Sequence, residues 1–224
     1  MLRGFSIIYV VIYHALFNLA MKHIWAYKAL FSTEMEILQF IFVSTLILIS
    51  GICTSFTRSN LKRGIKTSLA AILVTLVSAV VAPNMTIIFG ILHFFGAAML
   101  IYAALKKLIE KIPCAVGIPI FLGLWLISYN IYDLAPKMPK SIILFILGFN
   151  TGHVSGDYYP IIPHIFLFIA GAFLGRLLKQ DKAPAFLRKN PLPFISFIGR
   201  HTLFIYLIHQ PILYGIDFLF TLIK

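Results

Sequence analysis

The sequence predicts an all-α integral membrane protein with about seven transmembrane helices and one short re-entrant or interfacial segment. Three observations carry this. Of 224 residues, 60% are hydrophobic and 12% charged, against about half and about a quarter in soluble domains. The apolar residues fall into runs long enough to cross a bilayer, at ~20 residues per crossing. The basic residues gather between alternate runs. Such a chain is no cytosolic globular enzyme, and its net charge of +12 is read as membrane topology before nucleic acid.

The first run, from about Phe5 to Met21, follows Arg3 and carries His14 and Asn18, which the apolar core of a signal peptide lacks. Further spans are expected over roughly 37–55, 64–83, 86–105, 114–131, 159–178 and 200–222. Ser141 to Phe149 is apolar but too short to cross a ~30 Å core as a helix. Pro83-Asn84 marks a tight turn, and Pro184, Pro191 and Pro193 break the loop before the last span. No fixed-period repeat and no low-complexity linker divides the chain, so residues 1–224 are expected to form a single transmembrane domain. Cys53 and Cys114 are too few for a disulfide framework and read as small apolar residues.

Charge sets the orientation. Arg3, the loop with Arg58, Lys62, Arg63 and Lys66, the loop with Lys106, Lys107 and Lys111, and the loop with Arg176, Lys179, Lys182, Arg188 and Lys189 share one side. The other side holds Lys22, Lys28, Lys137, Lys140 and Lys224. The excess predicts a cytoplasmic N-terminus and places Glu34, Glu36, Asp133 and Asp157 on the exoplasmic face.

Ionisable groups within a span are expensive, so each one is a functional candidate. His14 lies ~16 Å along the helix from Arg3 and within about 20° of the same face, near mid-membrane. His93 is expected about two turns into the fourth span, and His209, followed by Gln210-Pro211, near the middle of the last. The alternative for each is a neutral histidine packed as interhelical glue, with Tyr206 and Gln210 as partners for His209. His23, His153 and His164 fall near the exoplasmic boundary, where histidine costs little. Arg200, beside His201, is expected at the start of the last helix, where a cation opposes the dipole and an anion is welcome.

Dinucleotide, P-loop, zinc-protease and nucleophile-elbow motifs are missing, and no metal is expected. The basic loops suit anionic lipid heads or a phosphorylated small ligand better than DNA.

Four strings resemble a known family. Arg3-Gly4 with His14 at Arg-x10-His spacing resembles the first-helix signature of integral membrane acyltransferases. Gly90-Ile-Leu-His-Phe-Phe-Gly96 is similar to the "GILHFxG" segment of the heparan-alpha-glucosaminide N-acetyltransferase catalytic-domain family. Asp157-Tyr-Tyr-Pro-Ile-Ile-Pro163, running into Gly171-Ala-Phe-Leu-Gly175, resembles its "DYxPLLPW…GxxLG" stretch. Gly199-Arg-His-Thr-Leu-Phe-Ile-Tyr-Leu-Ile-His-Gln-Pro211 resembles its closing "GRHSLxIYLxHQP". His164 stands where that family usually has tryptophan, and the aspartate usual before Arg-Gly is not seen ahead of Met1-Leu2, so a shortened start is expected.

The resemblance implies transfer of an acetyl group from cytosolic acetyl-CoA to an amino or hydroxyl group of an exoplasmic sugar or glycan. Such a transfer needs a base to take the proton of the attacking group, and His14 is expected in that role or as a transient acyl carrier, since imidazole titrates near pH 7. His93 and His209 then polarise the carbonyl or relay the proton, and Asp157 binds the acceptor or orients a histidine. Arg3, Arg200 and His201 bind the CoA end. A bacterial plasma-membrane protein is expected, and a homodimer is compatible with the reading. A proton-coupled transporter also places histidines inside spans, but no half of this chain mirrors the other. A membrane haem protein is a third reading. The purified protein is expected to show no Soret band; an absorbance spectrum checks this.

Overall fold

The structure, a computed structural model, describes residues 1–134, 136–182 and 191–222. Its helices are α1 (Leu2–Ala20), α2 (Ile24–Leu30), α3 (Thr33–Ile52), α4 (Asn60–Val81), α5 (Ile91–Ile109) and α6 (Cys114–Ser128). They continue as α7 (Ile131–Leu134), α8 (Ile142–Leu147), α9 (Ile161–Leu177), α10 (Pro193–Arg200) and α11 (Thr202–Leu222). Among the described residues the β-structure is an isolated bridge between Phe89 and Tyr158. Among the described residues five helices are long and apolar enough to cross a membrane: Leu2–Ala20, Thr33–Phe56, Asn60–Val81, Ile91–Ile109 and Ile161–Gln180. Cys114–Ser128 and Thr202–Ile216 are shorter apolar helices. The expected short segment is the six-residue α8, capped at its start by the Ser141 hydroxyl.

Three expectations are corrected. Thr86–Gly90 does not begin the fourth span; α5 starts at Ile91, so His93 lies in its first turn rather than two turns in. Arg200 does not open the last helix. It closes the eight-residue α10, where its charge favours the helix dipole. Pro193, read as a breaker, occupies the first turn of α10, a position that needs no N–H donor. The short α2 between the first two spans was also not foreseen. Pro184, Arg188, Lys189 and Lys224 lie outside the described residues.

The chain divides into two compact units, Met1–Leu46 with Pro184–Lys224, and Ile47–Ala183. In the first, α1 is the hub and packs against α2, α10 and α11. Ala20, Ala26 and Leu30 form a small core with Tyr13, Leu16 and Phe17, which folds α2 back on α1. Tyr9 stacks on Phe42 at 4.5 Å between ring centroids and donates to the Met35 carbonyl at 3.2 Å.

In the second unit, α4 pairs with α5 and α6 with α9. Phe94, Tyr102, Phe168 and Phe173 are fully buried. Without a hydrophobic drive between helices in lipid, close backbone approach over small residues does the packing. A side chain on Gly171 would overlap the Leu48 carbonyl, and one on Gly51 the Phe168 carbonyl. Gly175, one turn on from Gly171, similarly faces the Ile52 carbonyl. Arg176 turns its guanidinium onto carbonyls at and just past the end of α5, donating to Ile109 at 3.2 Å, Ile112 at 3.1 Å and Glu110 at 3.0 Å. A residue read as a loop charge is thus a helix cap contributed by a different helix.

Gly171→Val is expected to destabilise the protein by about 1–3 kcal/mol, since the backbones it separates cannot relax without strain. A thermal melt in detergent checks this against Gly123→Val, a position with nothing within 4 Å.

Candidate functional site

In the first unit, the site begins with a backbone contact. A Cβ on Gly199 would stand 3.0 Å from the Gly4 nitrogen, and one on Gly4 would overlap the Ile195 carbonyl. Glycine at both positions lets the start of α1 meet the end of α10. The contact brings Arg3 and Arg200, each adjacent to one of these glycines, into the same neighbourhood. Arg3 is half-buried and Arg200 exposed. His201 is exposed as well; its Nδ1 lies 3.0 Å from the Phe197 carbonyl and its ring packs on Phe197.

Farther along α1, His14 faces α11. The rings of His14 and His209 are 5.0 Å apart between centroids. His14 Nδ1 is 3.0 Å from Gln210 Nε2. An amide nitrogen only donates, so Nδ1 accepts and the neutral ring carries its proton on Nε2. His209 is arranged in the opposite sense. Its Nδ1 sits 2.6 Å from the Tyr206 carbonyl, which only accepts, so Nδ1 carries the proton. In the neutral ring His209 Nε2 is then the nitrogen without a proton, and it is buried and without a hydrogen-bond partner. Gln210 Oε1 and Asn18 Nδ2 are also buried without partners. Asn18 is one turn beyond His14, on the same face of α1.

In the second unit, His93 and Asp157 converge on the first turn of α5. Asp157 Oδ2 accepts from the Ile91 N–H at 3.0 Å, capping the helix with a carboxylate where the dipole favours it. A side chain on Gly90 would overlap that carboxylate. The Gly90 N–H donates to His93 Nδ1 at 3.2 Å. His93 Nε2 is 2.9 Å from Thr75 Oγ1, which donates in turn to the Ile87 carbonyl at 2.7 Å. Both ring nitrogens of His93 are therefore engaged. The approach is laced together by Tyr159 N–H to the Phe89 carbonyl at 3.1 Å and Tyr158 hydroxyl to the Phe145 carbonyl at 2.6 Å.

Among the remaining histidines, His23 is exposed at the start of α2. His153 pairs with Thr151 at 2.8 Å. His164 is half-buried, its ring against Phe94 and Tyr159. Cys53 and Cys114 are free thiols. Among the described residues, no three His, Cys, Asp or Glu side chains are grouped to hold a metal ion. Sequence reasoning missed Asn18 as a site residue, although its four-residue spacing from His14 was the available signal. It assigned Gln210 to His209, whereas the amide serves His14.

The family model described as "Heparan-alpha-glucosaminide N-acetyltransferase, catalytic" matches residues 1–211. No curated protein and no solved structure matches the chain. The transporter reading draws no support from these comparisons.

Asp157→Ala is expected to lower stability by about 0.5–2 kcal/mol by uncapping α5, with Asp157→Asn closer to wild type. Thermal melts of the two variants check this.

Proposed function

Because the chain belongs to the heparan-alpha-glucosaminide N-acetyltransferase catalytic family, we propose that it moves an acetyl group from cytosolic acetyl-CoA to an amino or hydroxyl group of a sugar on the exoplasmic side. The observation that supports this most is the pairing of His14 with His209 in the unit where Arg3 and Arg200 are drawn together. Acyl transfer from a thioester needs two things of a protein: a group to take the proton of the attacking amine or hydroxyl, and donors for the oxyanion. A neutral histidine pair holding opposite tautomers offers one of each. The arginines and His201 are assigned to the phosphates of CoA, for which guanidinium groups are well shaped.

His93 and Asp157 act, in this reading, as positioning residues for the start of α5. With both His93 nitrogens occupied, its contribution is to fix the backbone from Ile87 to Ile91. Cys114–Ser128 and Thr202–Ile216 cross the membrane beside the five longer helices, which gives seven crossings. The N-terminus is cytoplasmic by the distribution of positive charge, and the membrane is a bacterial plasma membrane. The whole chain works as one catalytic domain.

The test is acetyl-CoA turnover by the purified protein against a panel of amino sugars, wild type beside His14→Ala. The expected result is transfer to at least one amino sugar and a loss of about 10²–10⁴-fold in the variant. An unchanged rate in His14→Ala would remove the histidine pair from the mechanism, and no transfer to any acceptor would remove the activity.

A further inference from the structure

We propose that Gln210 is a positioning residue that sets the tautomer of His14, and that this divides the histidines into a donor, His14 Nε2–H, and a proton acceptor, His209 Nε2. The inference rests on the acetyl-transfer reading and deepens it, since that reading leaves the two roles exchangeable. Sequence position alone favours His14 as the base, but the hydrogen bonds point the other way. The Gln210 amide donates to His14 Nδ1 at 3.0 Å and thereby occupies its lone pair. His14 is left with an N–H at Nε2 and no basic nitrogen to spare. The Tyr206 carbonyl, 2.6 Å from His209 Nδ1, holds the proton there and keeps the Nε2 lone pair of that ring open. That nitrogen is buried and has no partner within the protein, an arrangement that costs free energy unless a substrate proton is to be met there.

The step balances without any further reagent. The acceptor amine attacks the thioester carbonyl carbon, and the resulting oxyanion takes a hydrogen bond from His14 Nε2–H. The amine proton passes to His209 Nε2 as the C–N bond forms. Collapse of the intermediate breaks the C–S bond, and His209 returns the proton to the departing thiolate. An amide and free CoA leave, with both rings restored to their starting tautomers. An attacking hydroxyl follows the same course and gives an ester.

The tautomers are read directly by ¹⁵N spectra of histidine-labelled protein in lipid nanodiscs at a pH where both rings are neutral. Single His→Gln variants assign the signals. The expected result is a protonated, pyrrole-type Nε2 and an unprotonated Nδ1 in His14, with the reverse in His209. Gln210→Glu places a carboxylate acceptor at His14 Nδ1 and is expected to exchange the His14 pattern while leaving His209 as it was. Gln210→Glu and Gln210→Leu are both expected to reduce kcat by 10-fold or more with little change in KM for acetyl-CoA. A wild-type His14 carrying its proton on Nδ1 overturns the assignment, and so does labelled acetyl trapped on His209 after acetyl-CoA alone. The spectra need no turnover, so a protein with these tautomers and no acetyl transfer would leave the assignment standing and refute the activity.

Discussion

A polar group held in lipid has no water to bond with, so its hydrogen bonds must be found within the protein or in what the protein binds. This constraint sorts the polar side chains of the chain into two kinds. Arg176, Asp157 and one nitrogen of His93 bond to backbone groups at helix ends, and the other His93 nitrogen to the Thr75 hydroxyl, which holds those helix ends in place. His209 Nε2, Gln210 Oε1 and Asn18 Nδ2 are buried without partners. Satisfied groups account for the architecture; Asn60 Oδ1 is also buried without a partner, so an open atom by itself marks no site, and in the first unit the open atoms lie on His209, Gln210 and Asn18. The distinction matters because all of these residues look alike in a hydropathy profile.

The helical class and most segment limits were legible in the sequence, because apolar run length and charge asymmetry are direct consequences of the bilayer. Where limits were missed, one cause was local and the other a pairing between distant segments. Pro193 begins α10 because a helix tolerates proline in its first turn, and a reading that treats proline only as a breaker cannot see it. Thr86–Gly90 is apolar enough to pass for membrane helix, yet its backbone is bonded to the strand-like segment around Tyr158. That pairing joins residues far apart in the chain and leaves no periodic trace.

The candidate site was legible as a list of residues, without their partners. Helical spacing put Arg3 and His14 on one face, but a face does not say which neighbour it meets. His14 meets Gln210 and His209, and nothing local to α1 encodes that. Tautomers were further out of reach, since they follow from whether the partner is an amide nitrogen or a carbonyl oxygen. His93 shows the converse. Its sequence context left catalysis and interhelical packing both open, and its two nitrogens engage the Gly90 N–H and the Thr75 hydroxyl.

The contact between Gly4 and Gly199 has a consequence for biosynthesis. α1 is made before α10 and α11, which complete its packing. During synthesis α1 therefore waits in the bilayer with a bare glycine face and a histidine whose amide partner does not yet exist. The unit closes only when α10 and α11 reach α1. A nascent protein interrupted before Gly199 lacks both the glycine contact and the pairing of His14 with His209, so this unit takes shape only once α10 and α11 have been made.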